Sequence, residues 1–244
     1  MRKFGLVGKN IDYSFSRTYF KKKFEAEAIS DASYVNFDLE NITDFKTLKC
    51  HPDLKGLNVT IPYKETIIPF LDSLHADAKH IGAVNTIKIT KNGEYVGYNT
   101  DYYGFKQALI PFLKPQHTKA LILGTGGASK AVAYALEQLR ISYRFVSRSA
   151  STTGTITYDS LSAEDLRNHL LIINCTPLGT HPNTEESPNI PYHGITEEHI
   201  LFDLIYNPEK TKFLSLGEKH KATFINGLKM LEYQAEKAWE IWNT

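Results

Sequence analysis

The chain has 244 residues, 42% of them hydrophobic, with 28 Lys and Arg against 27 Asp and Glu; that length holds one large domain or two modest ones. A net charge of +1 gives no electrostatic case for nucleic acid, whose binding needs a clustered basic face. Two distant cysteines, Cys50 and Cys175, lack metal-type spacing and fit a reducing compartment rather than a disulfide framework, and no run approaches the roughly 18 apolar residues of a membrane helix.

Residues 4–7 read as a first buried strand. Ended by Gly8 and Lys9, this stretch is too short for the core of a signal peptide, so the expectation is a cytoplasmic protein with neither membrane nor nucleic acid as a partner. A polar loop over 8–16 leads into an amphipathic helix over 17–28, with Phe20 and Phe24 at i, i+4. Lys21, Lys22 and Lys23 are its solvated face. Strands are predicted at 34–39 and 57–61, the second stopped by Pro62. Ile67, Ile68, Leu71 and Leu74 make a helical stripe. Residues 86–90 and 94–98 flank Lys91-Asn92-Gly93, whose Asn-Gly step reads as a hairpin turn.

The pattern changes after Asp101. A helix is predicted over 103–113, with Pro111 and Pro115 at its boundary. Continuous apolar strands at 120–123, 143–146, 170–174 and 200–205 alternate with helical segments. Val132, Ala135, Leu136 and Leu139 mark one of these, and Leu231, Ala235, Ala238 and Trp242 mark a closing one over 227–242. Apolar strands alternating with helices predict an α/β fold with a parallel sheet covered on both faces.

Between the strand at 120–123 and the next helix lies Gly124-Thr125-Gly126-Gly127-Ala128-Ser129. A glycine-rich strand-to-helix turn is the setting of a dinucleotide fingerprint. The first glycine permits the turn, the second lets backbone approach a pyrophosphate, and the helix amides face the anion. Ser129 fills the slot usually held by Gly or Ala. The next strand ends in Ser147-Arg148-Ser149, with none of the carboxylate that would take the ribose 2′-OH of NAD. Arg148 instead offers a guanidinium suited to a 2′-phosphate. The expected cofactor is therefore NADP(H).

Residues 1–101 hold four short polar runs: Ser14-Phe15-Ser16, Asn58-Val59-Thr60-Ile61-Pro62-Tyr63-Lys64-Glu65, Gly82-Ala83-Val84-Asn85-Thr86 and Asn99-Thr100-Asp101. Taken singly, Ser16 reads as a helix N-cap, Asn85 and Asn99 as turn residues, and Lys64 and Asp101 as solvated charges. Together they suit a small polyhydroxylated acid and the movement of one proton. Hydride exchange with an alcohol needs such a proton carrier. The nine histidines are scattered, without the spacing of a metal site, and no metal is expected.

With these motifs in this order, nearly end to end, the sequence resembles the shikimate dehydrogenase family. The resemblance implies an NADPH-dependent, reversible reduction of 3-dehydroshikimate to shikimate, within aromatic amino acid biosynthesis. It implies Lys64 and Asp101 as the catalytic pair, with Ser14 and Ser16 on the substrate carboxylate and Thr60, Asn85, Tyr206 and Gln234 as further substrate contacts. Gly124, Thr125, Gly126, Gly127 and Ala128 match its glycine loop, and Ser147, Arg148 and Ser149 its 2′-phosphate motif. Thr176 lies in its Asn-x-Thr-x-x-Gly turn. Leu204 and Gly227 belong to matching segments beside the cofactor. The implied architecture is an N-terminal α/β substrate domain with a mainly parallel sheet, residues 1–101 plus 227–244. A Rossmann-like, doubly wound NADP-binding domain, residues 102–226, completes it. A monomer or homodimer is expected. A quinate/shikimate dehydrogenase using NAD(P) and a non-catalytic NADP-binding sensor on the same fold are the alternatives.

Overall fold

The computed structural model describes residues 1–12, 14–149 and 154–244. They divide into two compact units, Met1–Thr100 with Gln234–Thr244, and Asp101–Tyr233. The chain returns to the first unit inside the closing helix, after Tyr233.

The first unit holds β1 (Arg2–Gly8), α1 (Phe15–Ala26), β2 (Ala32–Asp38), α2 (Phe45–Leu48), β3 (Leu54–Val59), β4 (Ser73–Leu74), α3 (Ala76–Ile81), β5 (Thr86–Ile89) and β6 (Tyr95–Tyr98). Its sheet runs β2-β1-β3-β5-β6-β4. The first three strands are parallel, and β5 and β6 add an antiparallel hairpin. Successive side chains of a strand face opposite ways, which is why β1 is apolar over residues 4–7. Phe4 and Leu6 enter a core with Phe20, Phe24, Tyr34 and Trp242, while Val7 enters a second with Phe45, Leu57, Ile67 and Ile87. The hairpin forms as expected, with Gly93 at φ +82° and Thr90 N–H donating to the Glu94 carbonyl at 2.9 Å. The predicted helical stripe at 67–74 does not form. A single 3-10 turn, Ile68–Phe70, gives way to extended backbone at Leu71 and then to β4. Pro69 cannot donate to a longer helical ladder, and the stripe's apolar side chains pack on the second core from this turn.

The second unit holds α4 (Asp101–Leu109), β7 (Lys119–Leu123), α5 (Gly127–Gln138), β8 (Ser142–Ser147), β9 (Ile156–Thr157), α6 (Ala163–Asn168), β10 (Leu171–Asn174), β11 (Ile200–Asp203), α7 (Lys212–Lys219), β12 (Thr223–Ile225) and the start of α8 (Leu228–Asn243). Its sheet order is β12-β11-β10-β7-β8-β9, parallel throughout. Ala120 and Ile122 of β7 point into one apolar core, Leu121 and Leu123 into another. This is a doubly wound, Rossmann-like sheet. Its topological switch lies between β7 and β10, and such folds bind ligands outside the strand carboxyl ends at that switch.

From Gln234 onward α8 belongs to the first unit. Trp242 stacks on Phe4 with ring centroids 4.9 Å apart and donates Nε1–H to the Ile87 carbonyl at 3.0 Å. It lies over Gly56, where an added Cβ would come within 2.3 Å of the indole.

Candidate active site

In the first unit the polar runs gather at strand ends. Thr60 N–H donates to the Val7 carbonyl at 2.9 Å, joining the end of β3 to that of β1. Tyr63 is buried and donates its hydroxyl to the Leu39 carbonyl at 2.6 Å, which anchors the turn before Lys64. Val84 N–H then donates to the Lys64 carbonyl at 2.7 Å, so Lys64 and Asn85 sit on backbones tied to each other. Asn85 N–H donates to the Tyr98 carbonyl at 3.1 Å, and Asn99 Nδ2 to the Ala83 carbonyl at 3.0 Å.

The side chain of Asn85 is 3% exposed and wholly engaged. Its Oδ1 accepts the Thr100 N–H at 2.6 Å and the Thr86 hydroxyl at 3.1 Å. Its Nδ2 donates to Thr100 Oγ1 at 3.0 Å and to Gln234 Oε1 at 3.4 Å. Asn58 extends the chain, donating to Thr86 Oγ1 at 3.2 Å and accepting the Tyr34 hydroxyl at 2.7 Å. Buried polar groups of this kind are stable only when satisfied, and a satisfied network fixes its members' orientations. Burial pushes the Tyr34 phenol up, and a hydrogen bond with Ser16 opposes that.

Two expectations change, one at the start of α4 and one at the start of α1. Its N-cap is Ser14, whose Oγ accepts the Arg17 N–H at 3.2 Å from an extended backbone. Ser16 lies inside the helix, half-buried. Asp101, expected from its type to be a solvated charge, is 6% exposed. It is the first residue of α4, where an acid favours the helix dipole. Lys64 is half-buried.

In the second unit Gly124 follows β7 at φ +103°, a conformation that L side chains rarely adopt. An added Cβ there would lie 3.2 Å from Thr176 Cγ2. Gly126 is the N-cap of α5 and offers no side-chain cap, leaving the first helix amides to an outside acceptor. Ser129, in the slot usually held by Gly or Ala, is fully buried and donates its hydroxyl to the Gly126 carbonyl at 2.6 Å. A serine therefore fits where a smaller residue is usual, because its one polar group is satisfied. Thr125 is exposed, and Gly127 and Ala128 are half-buried in the first turn. This glycine cradle and uncapped helix end fit a dinucleotide pyrophosphate.

Ser147 closes β8, and its Oγ accepts the Ser149 N–H at 3.4 Å. Arg148 and Ser149 are exposed. At the ends of β10 and β11, Asn174 Oδ1 accepts the Thr176 N–H at 3.0 Å and its hydroxyl at 2.7 Å. Leu204 N–H donates to the Asn174 carbonyl at 3.1 Å, and Gly227 N–H to that of Ile205 at 3.0 Å. Tyr206 is exposed by 37%, and partial burial still pushes its phenol up.

The structure gives roles to residues to which the sequence assigned none. Tyr34, Thr86 and Thr100 complete the network around Asn85. Asp203 and Thr211, both buried, brace the ends of β10 and β11. Tyr34 and Thr211 give no sequence signal, being ordinary residues of a strand and a helix start; the neighbours of Asn85 and of Asn99 were within reach. Among the described residues no group of three His, Cys, Asp or Glu is placed to hold a metal, and no helix is long and apolar enough to cross a membrane.

Comparison with known proteins supplies the family. The model of the shikimate dehydrogenase substrate binding domain matches residues 6–87. The NADP(+) shikimate dehydrogenase of Methanococcus maripaludis strain C7 is 39% identical over 98% of this chain and 90% of its own. That of Clostridium botulinum strain Hall is 35% identical over 98% and 95%. Among solved structures, shikimate 5-dehydrogenase of Thermus thermophilus, in complex with NADP(H) and shikimate, superposes with a TM-score of 0.87 at 30% identity, covering 99% of this chain and 93% of that one. Shikimate dehydrogenase 1 of Peptoclostridium difficile gives 0.83 at 38% identity, covering 100% and 92%. With relatives this similar along almost the whole of its length, the chain belongs to the shikimate dehydrogenase family.

Proposed function

We propose that this protein reduces 3-dehydroshikimate to shikimate, reversibly and with NADPH, in the pathway to chorismate and the aromatic amino acids. The observation that carries the reading is the 39% identity, over 98% of the chain, to an enzyme named for that activity and cofactor. Both members of the expected catalytic pair, Lys64 and Asp101, are present in the motifs that carry the likeness.

Bound NADPH supplies the hydride. Gly124, Thr125, Gly126, Gly127 and Ala128 hold the pyrophosphate. Ser147, Arg148 and Ser149 hold the 2′-phosphate, and Thr176, Leu204 and Gly227 line the nicotinamide side. Ser14 and Ser16 take the substrate carboxylate; Thr60, Asn85, Tyr206 and Gln234 take its remaining polar groups. Lys64 gives a proton to the oxygen of the carbonyl as it becomes an alkoxide, and Asp101 orients Lys64 and a substrate hydroxyl. The functional domains are residues 1–101 with 227–244 for substrate and 102–226 for cofactor. The enzyme works in the cytoplasm, as a monomer or homodimer.

The test is NADPH oxidation followed at 340 nm with 3-dehydroshikimate. Steady turnover with a clear preference over NADH is expected. A folded sample that is silent, or one that prefers quinate with NAD, overturns the reading.

A further inference from the structure

One buried carboxylate joins the strand ends that carry the nicotinamide-side residues. Asp203 has no exposed surface. Its Oδ1 accepts from Asn174 Nδ2 at 3.0 Å and from the Ile205 N–H at 3.1 Å; its Oδ2 accepts the Thr211 hydroxyl at 2.6 Å. Each donor stands on a different stretch of backbone. Asn174, oriented by that bond, grips both the N–H and the hydroxyl of Thr176, whose methyl lies over Gly124. Ile205 accepts the Gly227 N–H on its carbonyl. Thr211 caps α7 by accepting the Leu214 N–H at 3.3 Å.

We propose that Asp203 is a positioning residue for cofactor binding, its ionised carboxylate holding the Thr176 turn and the segment from Leu204 to Tyr206 in register with the glycine loop. The proposal rests on the dinucleotide reading of that loop. Hydrogen bonds to an ionised acceptor are roughly twice as strong as neutral ones, so charge and not shape alone sets the grip. Asp203→Asn keeps the volume and an oxygen for Asn174 and Ile205, but turns an NH2 toward Thr211 and offers only a neutral acceptor. Protonation does the same to the native side chain. Burial pushes the Asp203 carboxyl up to about 6, against the opposing hydrogen bonds from Thr211, Ile205 and Asn174. The other titratable groups coupled to it are the Cys175 thiol, at the end of β10, and the Tyr192 phenol. Burial pushes both upward, so neither is charged near pH 6. On α7, Lys212 donates its ammonium to the Glu185 carbonyl at 2.8 Å.

The experiment titrates NADPH, by its fluorescence, into the native protein, Asp203→Asn and Thr211→Val between pH 5.5 and 8. At pH 8 the Asp203→Asn protein is expected to bind NADPH about tenfold more weakly, the equivalent of one hydrogen bond. The ratio of its Kd to the native one then falls toward one as pH drops through 6, where native Asp203 is itself protonated. The cofactor's own ionisations are common to both proteins and cancel in that ratio. Thr211→Val removes a donor that favours the ionised form and moves the native pH break upward, which tests the proposal even where Asp203→Asn fails to fold. A ratio of one at pH 8, a ratio that does not change with pH, or a Thr211→Val break that stays in place overturns the assignment, even where thermal stability falls. Native protein that does not bind NADPH at all overturns the cofactor reading instead.

Discussion

Lys64 and Arg148 carry the sharpest expectations at the residue scale. Positioned proton transfer contributes about 10²–10⁴-fold to such reactions, so Lys64→Ala is expected to lose turnover by that order while its NADPH Kd stays within about twofold; near-full turnover would remove Lys64 from the chemistry. Arg148→Ser should raise KM for NADPH and leave that for NADH almost unchanged, because only the former has a 2′-phosphate for the guanidinium. His199 predicts a pH effect unrelated to catalysis. It is 1% exposed; its Nδ1 accepts the Thr196 N–H at 3.0 Å and its Nε2 lies 2.9 Å from the Leu166 carbonyl, so the ring is neutral with its proton on Nε2. Burial lowers its pKa below that of a free imidazole. The unfolded chain therefore takes up this proton more readily than the folded one. The stability due to neutral His199 is present above about pH 6.5 and lost as pH falls below it. Urea denaturation between pH 5 and 7.5 should show stability rising with pH more steeply in the native chain than in His199→Gln, where the opposing contribution of buried Asp203 remains. The sequence shows His199 only as one of nine scattered histidines, since no local spacing reveals that two backbone groups meet its ring. The same holds for Tyr34, whose partner Asn58 lies on a strand with which its own does not pair.

Elements were legible where burial is two-sided. β7, β10 and β11 are short apolar runs because each feeds cores on both faces of the sheet, and the glycine loop follows from its place after β7. The stripe at 67–74 was misread because apolar spacing alone does not register Pro69, and a 3-10 turn followed by a strand buries the same side chains. The N-cap went to Ser14 and not Ser16 because two serines two residues apart offer the same side chain, and only backbone conformation separates them. Gly227 marks a close approach between elements that the sequence names only as a family match. An added Cβ would lie 2.1 Å from the Leu204 carbonyl oxygen, a backbone atom with little room to yield. Gly227→Ala should cost about 1–3 kcal/mol in urea unfolding, as overpacked sites do, and weaken NADPH binding through the displaced Leu204. A variant as stable as the native chain would show that the connection after β11 gives way freely.

For the molecule as a whole, the division into two units follows from α8, whose last residues belong to the unit that begins the chain. Trp242→Ala removes the stack on Phe4 and leaves the Ile87 carbonyl without its indole donor. A loss of about 3–5 kcal/mol is expected, in the range for large aromatic truncations, read as a lower midpoint in thermal unfolding of the first unit. An unchanged midpoint would make the helix end dispensable. The same arrangement orders events during synthesis. The second unit is contiguous, whereas the first waits for Trp239 and Trp242, its last aromatic partners, through the making of more than half the chain. Nascent domains commonly fold in N-to-C order; here the N-terminal unit closes only with residues from the far end of the chain. The early-made sheet stands with Phe4, Phe20 and Tyr34 uncovered until translation of α8 ends, which marks that face as the one a co-translational chaperone would shield.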